Sequence, residues 1–218
     1  SHIESVASDL SAAYISAVRK NIPDAVYVFD HFHLVKLINE ALDKIRKRIV
    51  REERDKEKKA AKEKGTQEKE GEKVCRKSSV VKGTRYILLQ NRSDITKESD
   101  IARLNAALEL NSDLSTAYYL KEEAKLLWMC DDKQQASSQL HDWLSKLTAS
   151  GIPELSKLAQ SISLYSHGIL AYYDKPISTA IVEGINNKIK TLKRMAYGFR
   201  DNDYFNIRLL ALHDYKVA

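Results

Sequence analysis

Two short apolar runs near the start of the chain, each closed by an aspartate, constrain the fold more than any other feature. Ile3 to Ser8 partly alternate and stop at Asp9, which predicts a strand. Leu10 to Lys20 then carry Ala13, Tyr14, Ala17 and Val18 at helical spacing, and Asn21-Ile22-Pro23-Asp24 ends that helix. Ala25 to Phe29 is an unbroken apolar run of strand length, the pattern of a strand buried on both faces, and it stops at Asp30. Strand, helix, strand is a βαβ unit, which predicts a parallel pair with a right-handed crossover.

Nothing later in the chain reads as a sheet. Gly 7 and Pro 3 in 218 residues are too few for a sandwich or propeller, whose turns recur every dozen residues or so. Leu34, Val35, Leu37, Ile38, Ala41, Leu42, Ile45 and Ile49 keep helical spacing, and the stripe vanishes after Val50. Further helices are predicted near 97–110, 112–131, 133–148, 153–173, 177–197 and 202–213, with apolar character resuming at Tyr86 to Leu89. The fold class is therefore mostly α with a small β component.

Charge is uneven. Residues 44–85 hold 17 Lys or Arg and 8 Asp or Glu, a net +9, against +6 for the whole chain. Within this segment, 51–73 is nearly all Lys, Arg, Glu and Gln and cannot bury much surface. Its mixed signs fit a self-paired solvated helix extension or hairpin tip; the basic excess of Arg46–Lys77 fits an electrostatic footprint for nucleic acid. Two cysteines, Cys75 and Cys130, are too few for a disulfide framework or an all-cysteine zinc site and suit a reduced, cytoplasmic compartment. No apolar run nears the roughly 20 residues that span a bilayer. The opening Ser1-His2 without methionine predicts a piece of a longer protein.

Three groups of residues carry chemistry. Asp9 and Asp30 stand at the carboxyl ends of the predicted strands, where open parallel sheets bind ligands. Carboxylates there can hold hard divalent cations, and a two-metal pair can activate an attacking oxygen and stabilise a leaving one. A strand-end aspartate is also a common turn or helix cap. Asp30-x-x-His33 has the look of a soft-metal site, but His141, His167 and His213 lack local partners to complete one. His33 is therefore expected to hydrogen-bond Asp30 or to pack behind the carboxylates. In the third group, Ile181, Ile185, Ile189, Leu192 and Ala196 predict a buried stripe. Glu183, Asn187, Lys190 and Arg194 share another face over roughly 16 Å, a length that covers several phosphates. Arg200 follows the break at Gly198.

These pieces resemble a known family. Asp30-His31-Phe32-His33 after an apolar strand is similar to a signature of bacterial insertion-sequence transposases of the ISL3 type. Val182-Glu183-Gly184-x-Asn186-Asn187-x-x-Lys190-x-x-Lys193-Arg194-x-x-Tyr197-Gly198 resembles that family's C-terminal block. Arg85 to Leu89, the Leu114 to Glu122 segment, Trp143 and Ile152-Pro153 fit its middle. The resemblance implies an Asp-Asp-Glu triad on a ribonuclease-H-like fold, holding two Mg²⁺ ions for DNA strand cleavage and transfer. It makes Asp9 the second carboxylate and Glu183 the third, both metal ligands, with Asp30 the alternative second carboxylate and His33 beside it. Asn187, Lys190, Lys193, Arg194 and Arg200 would hold DNA phosphates.

It also implies a division of the chain. Residues 1–40 and 176–218 would be parts of a ribonuclease-H-like catalytic domain, and 41–175 an all-helical insertion. The first triad aspartate would lie upstream of residue 1, so the chain alone is expected to be inactive. Its partners would be transposon-end and target DNA and a second subunit in a homodimer, with no membrane and no small-molecule substrate, beside the bacterial nucleoid. A non-catalytic helical nucleic-acid-binding or assembly module is the alternative. Close approach of the Asp9 and Glu183 carboxylates would favour the enzyme.

Overall fold

The computed structural model describes residues 3–9, 11–63 and 76–211. The βαβ unit forms as the sequence predicts. Strands β1 (Ser5–Ser8) and β2 (Val26–Phe29) pair in parallel, Ser8 opposite Phe29, with helix α1 (Ala12–Asn21) between them. Burial is less complete than the apolar run suggests. Val28 and Phe29 are buried, but Val26 and Tyr27 are half-exposed, because a two-stranded sheet covers only part of each face.

Helix α2 (His31–Glu63) starts directly after Asp30 and is the spine of the molecule. At 33 residues it is about 50 Å long. Leu34, Ile38, Ala41, Leu42, Ile45 and Ile49 are buried along one face, the seam that helical spacing demands. Against it pack α3 (Lys77–Gly83), α4 (Arg85–Leu89), α6 (Ser112–Glu123) and α8 (Pro153–Leu170). Helix α5 (Glu98–Leu110) lies on α3 and α6, and α7 (Lys133–Ala149) on α8. One hydrophobic cluster runs without interruption from Phe29 through α2 to Ile169. The predicted helices 112–131 and 153–173 each tighten at the end, into 3₁₀ turns over Ala124–Met129 and Ala171–Tyr173. The helices α3 and α4 are too short to show a periodic stripe and were not predicted.

Polar contacts fix the angles between these helices. Arg48 on α2 donates to Glu154 in the first turn of α8 (2.9 Å), to Asp113 in the first turn of α6 (3.0 Å) and to Glu52 (3.3 Å). Hydrogen bonds to Glu154 and the other two carboxylates hold its pKa well above the usual arginine value. Lys121 is buried and donates to the carbonyl of Leu88 at the end of α4 (3.0 Å), with Glu122 beside it at 2.8 Å. That joins the Arg85–Leu89 and Leu114–Glu122 segments. Trp143 is buried and donates its indole N–H to the carbonyl of Leu120 (2.8 Å). Gly151, at a φ of 68°, ends the α7 segment in the left-handed region that glycine enters at no steric cost, and Pro153 opens α8.

The strand pair meets the helices at one close approach. A Cβ on Gly168 of α8 would lie 2.1 Å from the Phe29 ring. That ring is held edge-on by Tyr27 (5.0 Å between centroids) and Tyr165 (5.4 Å), so it has no room to retreat. Helix α9 (Ala180–Met195) and helix α10 (Asn202–Leu210) bury no residue. The predicted buried stripe on α9 is therefore corrected. Ile181 is 78% exposed and Ile185 38%, while Ile189 and Leu192 are half-buried, because no described element covers that face. Among the described residues no helix is long and apolar enough to cross a membrane. Of the charged tract 51–73, residues 64–73 lie outside the described residues, as does Cys75.

Gly168→Ala is expected to destabilise the fold by about 1–3 kcal/mol, the usual cost of overpacking a filled site. Urea unfolding measures it, and an unchanged midpoint would mean that α8 and β2 are not in this contact.

Candidate active site

The parallel register brings Asp9 and Asp30 out at neighbouring strand ends, and the Asp30 N–H still bonds the Ser8 carbonyl at 3.2 Å. Asp30 is also the cap of α2. Its Oδ1 accepts the backbone N–H of Phe32 at 2.9 Å, satisfying one of the helix's unpaired donors. Its Oδ2 accepts from a residue 149 positions away: the N–H of Thr179 at 3.1 Å, and the Thr179 hydroxyl as well. Nδ1 of His31 lies 3.6 Å from Oδ1. Burial pushes the Asp30 carboxyl up, but the Thr179 hydroxyl, the Phe32 and Thr179 N–H groups and the His31 charge outweigh it. The carboxyl ends below its ordinary value.

Thr179 precedes α9, and Glu183 lies one turn inside it, its N–H bonded to the Thr179 carbonyl at 2.9 Å. The Thr179 hydroxyl is 3.2 Å from Oε1 of Glu183. One hydroxyl proton thus lies between two carboxylates and can serve only one at a time. His33 completes the group. Ligand atoms of Asp30, His33 and Glu183 all lie within 4.8 Å of one another. The other neighbour of His33 is Asp9, whose Oδ2 is 3.9 Å from Nε2. His33 thus lies beside both Asp30 and Asp9. His31, two residues earlier, also lies beside Asp30.

The supply of donors is uneven across this cluster. Asp30 has three. Asp9 Oδ1 and His33 Nδ1 are buried without a hydrogen-bond partner, and Glu183 is exposed with one oxygen facing Thr179. A buried carboxylate oxygen with no donor is costly unless a cation satisfies it. Carboxylates with one imidazole can hold a divalent cation, and the residues present fit one. Closing the group around it asks little of the exposed Glu183 side chain.

Asn187, Lys190, Lys193, Arg194 and Arg200 are all exposed on or just after α9. The Lys193 ammonium lies 4.9 Å from the centre of the Phe205 ring, and Arg194 Nε is 3.4 Å from the Lys190 carbonyl. The helix ends with Tyr197 at a φ of 50° and Gly198 at 102°, the Gly198 N–H returning to the Lys193 carbonyl at 3.0 Å. Sequence reasoning missed Thr179. Its signal was the Ser178-Thr179 pair just before a helical stretch, a helix-start composition that gives no hint of a distant aspartate.

A family model described as transposase, of the ISL3 type, matches residues 1–209. The chain is 34% identical over 210 residues to the transposase for insertion sequence element IS1001 of Bordetella parapertussis, covering 96% of this chain and 47% of that protein. It is 30% identical over 204 residues to the transposase for insertion sequence element IS1557 of Mycobacterium tuberculosis, covering 91% of this chain and 45% of that protein. The chain thus spans about half the length of the curated relatives it matches. No solved structure matches it. A match across nearly the whole chain, with the Asp30–His33 and Glu183 motifs meeting in one cluster, shows that this chain belongs to the ISL3-type transposase family.

Proposed function

We propose that this chain forms part of the catalytic core of a DNA transposase, with Asp9 and Glu183 as metal-binding carboxylates for DNA strand cleavage and transfer. The observation behind this reading is the cluster of Asp30, His33 and Glu183, with Asp9 Oδ2 3.9 Å from His33 and Asp9 Oδ1 without a hydrogen-bond donor. Asp30 is a positioning residue here. Its oxygens are occupied by Phe32 and Thr179, and through Thr179 it sets the start of α9 and hence the place of Glu183. His33 neighbours Asp9 at 3.9 Å and shares a cluster with Asp30 and Glu183. Two Mg²⁺ ions held there would activate the attacking oxygen and stabilise the leaving one.

In this reading Asn187, Lys190, Lys193, Arg194 and Arg200 hold the phosphates of the DNA strand that enters the site. The βαβ unit and residues 176–218 belong to a ribonuclease-H-like fold, and 41–175 form its helical insertion. The parent protein acts on transposon ends and target DNA as a homodimer. In this reading the chain supplies two of the triad's three carboxylates and does not cleave DNA by itself.

Mn²⁺ titration followed by electron paramagnetic resonance tests the metal assignment. Asp9→Asn and Glu183→Gln are each expected to weaken binding at least tenfold, about 1.4 kcal/mol. Equal binding by both variants would remove them from the site. The isolated chain is expected to leave supercoiled plasmid intact in Mg²⁺, and nicking that disappears in Glu183→Gln would overturn its inactivity.

The positioning role of Asp30 has a pH signature. Its folded pKa is lowered, so its stabilisation is present above the unfolded value of about 3.9 and lost as pH falls through the lower folded value. Asp30→Asn should cost about 1–3 kcal/mol near pH 7, and the gap to the parent chain should narrow below about pH 4. An equal gap at both pH values in urea unfolding would exclude an ionised Asp30 clamp.

A further inference from the structure

Helix α2 leaves the core after Val50, yet it stays helical to Glu63 with its side chains largely in solvent. Its charges do not cancel where they stand. Glu53 takes Lys56 at 2.6 Å and Glu52 takes Arg48 at 3.3 Å. Glu57 turns to α3, accepting the Ser78 N–H at 3.0 Å and its hydroxyl at 2.7 Å. The carboxylates of this stretch are thus largely committed elsewhere, and a row of cations is left over.

Arg51, Arg54, Lys58 and Lys62 follow at spacings of three, four and four, so they share one face. All four are exposed, and Arg51, Lys58 and Lys62 enter no ion pair among the described residues. With Lys47, which is paired with Asp43 at 2.8 Å, one turn earlier, the row runs about 22 Å along the helix. Arg76 and Lys82 face it from the α3 side, across a groove of about 800 Å³ that both helices line. The groove continues past Arg54 and Lys58 to Arg51, where Asp55 is its one uncommitted acid. Among the described residues no aromatic side chain lines either part.

These features select the ligand. A lone phosphate needs two or three converging donors, not a row. A nucleoside would want a ring to stack on. A linear row of cations instead matches a repeating polyanion, and 22 Å of duplex carries about 13 negative charges. We propose that the α2–α3 groove binds the phosphate backbone of duplex DNA without reading its sequence, as a surface separate from the Asp30–His33–Glu183 cluster. The choice of DNA over other polyanions rests on the transposase reading; the groove itself rests on its charge geometry. It adds a second hold on DNA, set by α2, which runs from the cluster at Asp30 to the groove.

The test is fluorescence anisotropy of a mixed-sequence 30-base-pair duplex with this chain, at salt from about 50 to 200 mM. Changing Arg51, Arg54, Lys58 and Lys62 together to Gln should lower the slope of log affinity against log salt by about 3–4. The affinity lost across that salt range should then be about 100-fold smaller than for the parent chain. Gln keeps helix propensity, and circular dichroism should show an unchanged helix content and melting temperature. An unchanged slope and affinity would overturn the proposal. Loss of binding only in a Lys190→Gln/Arg194→Gln chain would overturn it too, while leaving the transposase reading intact. Unchanged Mn²⁺ binding by the fourfold variant would show that the groove and the metal cluster are separate. Tighter binding of heparin than of duplex by the parent chain would overturn the choice of DNA.

Discussion

An anion buried at the end of a parallel strand has to be satisfied, and the way Asp30 is satisfied organises the rest of the molecule. Its carboxylate takes one donor from the first turn of α2 and two from Thr179. The first contact starts the long helix at a fixed angle to the strand pair. The second anchors a distant part of the chain to the same point. Helix α9 buries nothing of its own, so its start is held by polar contact, not by packing. Glu183 stands where it does because Thr179 stands on Asp30. The close fit of Gly168 against Phe29 keeps the strand end, and with it Asp30, from shifting.

Helix α2 combines two environments in one element. Its first five turns form the core seam, and its last turns are a solvated cationic rod. Arg48 stands where one gives way to the other and ties α2 to the first turns of α6 and α8, whose N-terminal dipoles favour the carboxylates it binds. A rigid helix with one end at the cluster and the other beside α3 fixes the distance between two sets of charged groups. In the cluster, the donors gather on Asp30 and leave Asp9 Oδ1 without one; along the groove, cations outnumber carboxylates. The second imbalance comes from helical spacing, which decides which charges on one helix can reach each other.

Much of the fold was legible because it is written in short-range pattern. The βαβ unit, the seam of α2 and the later helices follow from apolar spacing and from breaks such as Gly151-Ile152-Pro153. Residues 77–89 were not legible, since two helices of seven and five residues carry too few positions to show a period. The 3₁₀ ends of α6 and α8 depend on packing against neighbours. The apolar stripe of α9 was visible, but its burial was not, since burial needs a covering element that a stripe does not specify.

The candidate site divides the same way. Sequence alone picked out Asp9, Asp30, His33 and Glu183, and the parallel register that brings the two aspartates together follows from the βαβ pattern. It could not say which carboxylates would be short of donors. Asp30 is saturated because Thr179, 149 residues on, reaches it; Asp9 keeps an oxygen without a partner; His33 lies beside both aspartates. Local pattern determines which residues lie on a strand end or a helix face, because those periods belong to the backbone. Hydrogen-bond partners depend on where remote segments meet, and only the tertiary structure decides that.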